Sequence, residues 1–192
     1  MTLDLQEFSK NTPTIVREDI LPENQAFLLH GFLTPEECQS LISQSESACY
    51  EALNLRYRTN DRVLIPNDDL ATLCMERIAP FLPDTRDITS EESDQLWGNR
   101  GPWLKEKNAT LRACAHSFDC GSWTRSHMNN FWRFCRYEEG GYFKPHRDGC
   151  KIDSPTSRSL FTVNIYLNDT DGGATQFLEH DRVRKTMHGI EL

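Results

Sequence analysis

The chain lacks the features that most directly announce a compartment or a partner. No apolar run approaches the roughly 20 residues that a membrane helix requires. The opening MTLDLQEFSK has no basic region followed by an apolar stretch, so a secretory signal is not expected and the cytoplasm or nucleus is the expected location. Basic residues are in deficit, with 21 Lys and Arg against 29 Asp and Glu for a net charge of −8. Nucleic-acid binding needs a clustered cationic surface to neutralise phosphates, and no such cluster is present. The seven cysteines are odd in number and irregular in spacing, which fits reduced thiols better than a disulfide framework. Neither a membrane nor a nucleic acid is therefore an expected partner. The sequence leaves the oligomeric state open.

What is present is a chain of 192 residues with 38% hydrophobic and 26% charged content, enough for one domain with a real core. Residues 1–24 read as a polar lead-in, and 25–192 as the domain proper. AFLLHGF (26–32) reads as a short buried strand. Thr34, Pro35 and Glu37 then compose a helix start with a capping box, and the helix is expected to run through TPEECQSLISQSESACYEAL. DRVLIP reads as a strand stopped by Pro66, and a second helix opens at Asp68 and Asp69 and closes near Pro80 and Pro83. Residues 84–128 read as an exposed connection. Cys114, His116, Cys120 and His127 lie there, but without the tight paired spacings of a tetrahedral zinc site. Strands follow at NFWRFCRYE and SLFTVNIYLND (159–169), then a Gly-Gly turn in DGGATQF leads into another. Helices first and antiparallel strands afterwards give an α+β expectation.

One spacing carries chemistry. In RYEEGGYFKPHRDG, His146 and Asp148 stand two apart, and on a strand such residues point the same way and can converge on one ion. An imidazole and a carboxylate suit Fe(II), and a further histidine completes the facial triad of non-haem oxygenases. The tripeptide alone is weak, since about 0.4 such matches are expected by chance at this composition. Its surroundings add to it. R-Y-x-x-G-x-x-F-x-x-H-x-D-G begins at Arg136, R-S-x-x-T-x-x-x-Y-L-N at Arg158, and G-G-x-T-x-F at Gly172. HGFLTPEEC stands ahead of the first helix.

Together these segments resemble the Fe(II)- and 2-oxoglutarate-dependent dioxygenases of the prolyl 4-hydroxylase type, over about residues 25–82 and 130–177. The resemblance implies N-terminal helices packed on a double-stranded β-helix (jelly-roll) core. It implies His146 and Asp148 as iron ligands, Tyr166 near the distal carboxylate of the cosubstrate, and Tyr137 as a pocket tyrosine beside the metal. Arg158 and Thr162 match weaker pocket-wall positions. It further implies 2-oxoglutarate as cosubstrate, ascorbate as reductant, and a protein or small molecule as the hydroxylated partner, with peptidyl proline the family default.

The family's third ligand is a later histidine, followed about ten residues on by a Lys or Arg that anchors the cosubstrate carboxylate. After Phe177 only LEHDRVRKTMHGIEL remains. His180 follows the strand too closely, and His188 is the better third ligand, but no basic residue comes after it. The tail also lacks the apolar alternation of a barrel strand. The expectation is a dioxygenase domain truncated at its C-terminal end. The alternative is a non-catalytic remnant that binds metal weakly or serves as an interaction domain.

Overall fold

A computed structural model describes residues 3–6, 8, 13–22, 25–89, 92, 120–154, 156–180 and 185–189. In chain order the first elements are β1 (Val16–Leu21), β2 (Ala26–His30), α1 (Pro35–Glu46), β3 (Glu51–Leu55), β4 (Arg58–Pro66) and α2 (Asp68–Ile78). A 3-10 turn, Ala79–Phe81, leads to β5 (Thr85–Ile88) and then β6 (Gly121–Thr124). The remainder comprises β7 (Phe131–Arg136), β8 (Tyr142–Phe143), β9 (Ile152–Ser154), β10 (Ser157–Arg158), β11 (Gln176–His180) and β12 (Lys185–Gly189). The architecture is mixed α+β. Every strand pairing among the described residues is antiparallel.

The chain divides into two compact units. The first gathers Met1–Arg77, Met128–His146 and Ile165–Leu192; the second gathers Ile78–His127 and Arg147–Asn164. In the first unit β4 is the centre of a four-stranded sheet, with β3 on one side and β7 on the other, and β8 pairs with the start of β4. Leu3, Phe8, Leu33, Leu41, Ile65, Leu70 and Cys74 form its core. Each such aliphatic side chain contributes roughly 1.5–3 kcal/mol by leaving water. The second unit holds the β5–β6 and β9–β10 pairs.

Helix α1 begins where the sequence places it. Thr34 Oγ1 accepts from the Glu37 amide at 3.2 Å, and Glu37 Oε2 accepts from the Thr34 amide at 3.0 Å, the reciprocal pairing of a capping box. Glu37 does more than cap. Its carboxylate takes two hydrogen bonds from the Arg77 guanidinium, at 2.6 and 2.7 Å, with the residues 1% and 4% exposed. Asn67 is a second buried junction. It accepts from the Leu70 amide at 2.7 Å to start α2, donates to the Leu3 carbonyl at 3.3 Å, and its own carbonyl accepts from the Trp132 indole at 3.2 Å.

Four expectations are corrected. Helices do not precede the strands: a β1–β2 hairpin comes before α1, and β3 and β4 separate the two helices. Residues 1–24 are not a mere lead-in, since Leu3 and Phe8 enter the core and β1 pairs antiparallel with β2, with a register shift between Asp19 and Leu21. Helix α1 stops at Glu46 rather than running on to Leu53. Ser45 and Ser47 donate their hydroxyls to the carbonyls of Ile42 and Gln44, which competes with helix continuation, and 51–55 turn to strand. Residues 159–169 form no strand, although Ile165 and Leu167 still pack against the first unit's core. Beyond Phe177 the chain does fold back, with β12 pairing β11 in unbroken register and His188 opposite Phe177. Among the described residues no helix is long and apolar enough to cross a membrane.

Candidate functional site

The site's geometry starts at the β7–β8 turn. Gly140 takes φ +76°, and a Cβ on Gly141 would stand 2.9 Å from the Glu138 carbonyl and 3.3 Å from that of Thr59. Glycine at 141 is what lets the turn lie against β4. That close approach pairs Phe143 with Arg58 and Tyr142 with Thr59. The Lys144 amide then donates to the Tyr57 carbonyl at 2.8 Å, which carries the pairing one step past β8.

His146 follows on irregular backbone. Its ring stacks on Phe143, with centroids 3.8 Å apart and planes 18° from parallel. Its Nδ1 lies 2.9 Å from the Lys144 carbonyl. A carbonyl only accepts, so Nδ1 carries the proton in the neutral ring and Nε2 carries the lone pair. Metal-ligating histidines are oriented by this kind of bond on the other nitrogen.

Tyr137 lies one residue beyond β7, and its hydroxyl is near Arg58 and Tyr166. Burial, with the neighbouring Cys135, pushes the phenol above its ordinary range, while Arg58 pulls the other way. Tyr166 hydrogen-bonds the Thr175 hydroxyl. The two tyrosines singled out in the sequence are thus close enough to interact electrostatically within the first unit.

Asp148 is exposed, on irregular backbone, in the Arg147–Asn164 segment of the second unit. Neither His146 nor Asp148 lies on a strand, because β8 ends at Phe143. The expectation that strand alternation aims them together is therefore corrected. Among the described residues no three His, Cys, Asp or Glu side chains converge as a metal centre. The His188 backbone belongs to β12, and its side chain lies outside the described residues, as does that of His180. Cys114 and His116 lie outside them too, while His127 faces Asp153 with Nε2 3.7 Å from Oδ2. Arg158 stands in β10, its guanidinium carbon 5.0 Å from the centroid of Trp123, and Thr162 is on irregular backbone.

Arg58 is the residue that sequence reasoning passed over. It is 9% exposed, donates from Nε to Asn60 Oδ1 at 2.7 Å, and lays its guanidinium over the Phe143 face at 4.3 Å. In the run RTNDR it reads as one more solvated polar position, and its burial comes from pairing with both β3 and β8 and from contacts with Cys135 and Tyr137.

No protein-family model, curated protein or solved structure matches the chain.

Proposed function

We propose that this chain is an Fe(II)- and 2-oxoglutarate-dependent dioxygenase of the prolyl 4-hydroxylase type, with its catalytic core of double-stranded β-helix design. The observation that carries the reading is the His146 tautomer, held by the Lys144 carbonyl so that Nε2 offers a lone pair, within an H-x-D-G segment. His146 and Asp148 would hold the ion. Their donor types fit two positions of a facial triad, and the third falls to His188 from the resemblance. Bound iron with 2-oxoglutarate and dioxygen would supply hydroxylation of an unactivated C–H bond, one oxygen atom entering the substrate as hydroxyl and the other entering the succinate that forms as carbon dioxide leaves, with ascorbate as reductant. This chain's own part is to orient: Phe143 holds the His146 ring in one plane, and Tyr137 and Tyr166 would offer hydroxyls to a polar cosubstrate. The hydroxylated partner is a protein or a small molecule, with peptidyl proline as the first to try.

The alternative reading is a non-catalytic remnant that binds metal weakly or serves in interaction, and what favours it is that His146 and Asp148 both stand on irregular backbone beyond the end of β8. Anaerobic addition of Fe(II) and 2-oxoglutarate separates the two. The dioxygenase reading expects the visible charge-transfer band of a chelated keto acid, lost in His146→Ala and in His188→Ala and kept in Cys120→Ser. Absence of the band in the parent chain favours the remnant.

A further inference from the structure

We propose that Arg58, with the Tyr137 hydroxyl beside it, is the anchor of a binding site for a small carboxylate ligand. The argument begins with what surrounds the guanidinium. Its partners are the Asn60 amide oxygen at 2.7 Å, Cys135 Sγ at 3.6 Å, the Tyr137 hydroxyl and the Phe143 ring, and all of them are neutral. No carboxylate among the described residues pairs with it. Other arginines of this chain do find one: Arg77 has Glu37, Arg125 has Asp84, Arg136 has Glu46 and Asp61, and Arg17 has Asp19. Nor is acid scarce, since 29 Asp and Glu are available.

A buried cation with only neutral neighbours is costly, and an anionic ligand seated against it would offset that cost. The planar fork of a guanidinium matches a carboxylate through two parallel N–H donors, and a phenol hydroxyl adds a third. The rim suits a ligand with a short aliphatic body. Tyr57, Tyr137, Phe143 and Tyr166 are all exposed aromatics, and Tyr57 lies against Phe143 with ring centroids 6.1 Å apart. The site therefore presents a buried charge beneath an open aromatic edge. It needs no metal, so it stands whether or not the iron reading holds, and 2-oxoglutarate is one member of the ligand class.

The test uses the full chain, kept metal-free with a chelator, and measures heats of binding for succinate and for 2-oxoglutarate, with dimethyl succinate as the uncharged control. Both acids are expected to bind and the ester not to. Arg58→Met and Arg58→Lys should each lower affinity by about tenfold or more, because lysine keeps the charge but not the fork. Tyr137→Phe should weaken binding by roughly threefold. The chelator keeps the iron centre out of this assay, which separates failure of this site from failure of that one. Arg133→Gln, an exposed arginine on β7, should leave binding unchanged. Absence of succinate binding in the parent, equal loss with Arg133→Gln, or retention of affinity in Arg58→Lys and Tyr137→Phe would overturn the proposal. So would binding confined to acidic peptides. Should Arg58→Met fail to fold, Arg58→Lys and Tyr137→Phe decide the matter.

Discussion

Replacing Glu37 by glutamine is the substitution whose cost the structure sets best. The side chain keeps its shape and one carbonyl oxygen, so packing is preserved and no cavity opens. What is lost is the negative charge facing Arg77, which is 4% exposed and receives no other carboxylate among the described residues. Two effects compete for the bill. Loss of a helix cap costs about 1 kcal/mol. Stranding one partner of a buried ion pair costs about 3–5 kcal/mol, because the remaining charge keeps its desolvation and loses its attraction. The second effect should dominate. Urea unfolding followed by far-ultraviolet circular dichroism reads it directly. At a slope of roughly 2 kcal/mol per molar, the Glu37→Gln midpoint should fall by about 1.5–2.5 M with the slope unchanged. Thr34→Ala is the internal control, since it removes the cap and leaves the pair, and it should cost only about 1 kcal/mol. The double variant Glu37→Gln with Arg77→Met removes both charges, and it should recover most of what Glu37→Gln loses. A Glu37→Gln loss no larger than that of Thr34→Ala would refute the reasoning, and so would a double variant that is worse than either single one.

Two further predictions concern stability alone. Burial raises the Cys74 thiol from 9.0 to about 12, against a smaller downward pull from Arg77. The unfolded chain ionises first, so the thiol's contribution is whole below pH 9 and is lost as pH rises toward 12. Between pH 8 and pH 10 the parent should therefore lose about 1.4 kcal/mol relative to Cys74→Ala, measured by unfolding at both values, and parallel curves would exclude the effect. Gly31 combines φ +69° with a hypothetical Cβ only 2.7 Å from the Thr14 carbonyl. Gly31→Ala should cost about 1–3 kcal/mol in the same assay, and a neutral result would mean that the β1–β2 hairpin can shift to make room.

The sequence was most legible where structure is local. T-P-E-E fixes the start of α1 because every group in a capping box lies within four residues, and Asp68-Asp69 likewise marks α2. Yet the partner that makes Glu37 matter, Arg77, lies 40 residues away and carries no pattern that points back. The end of α1 escapes the pattern for a related reason: apolar spacing continues through Ala48, while the serine hydroxyls at the helix end act through hydrogen bonds that periodicity ignores. Residues 159–169 show the limit of β-propensity. It measures how well a side chain fits a pleated, half-buried surface, and without a ladder partner Ile165 and Leu167 satisfy it by packing alone.

The candidate site divides along the same line. H-x-D-G is a chain-local motif and could be read, as could the two tyrosines. Which groups gather around them is decided by the register of β8 on β4, and that register is served by a glycine at 141, where a Cβ would stand 2.9 Å from the Glu138 carbonyl and 3.3 Å from that of Thr59. A shift of one residue would turn Phe143 to the opposite face and take the Arg58 contact with it. The buried guanidinium therefore has no signature in the sequence, although it is the most unusual charge in the first unit. If a carboxylate ligand seats there, then Gly141, which has no functional group of its own, is a residue that makes the site. Gly141→Ala should then weaken succinate binding as Arg58→Lys does, by displacing β8 and the Tyr137 ring that a Cβ would approach to 3.3 Å.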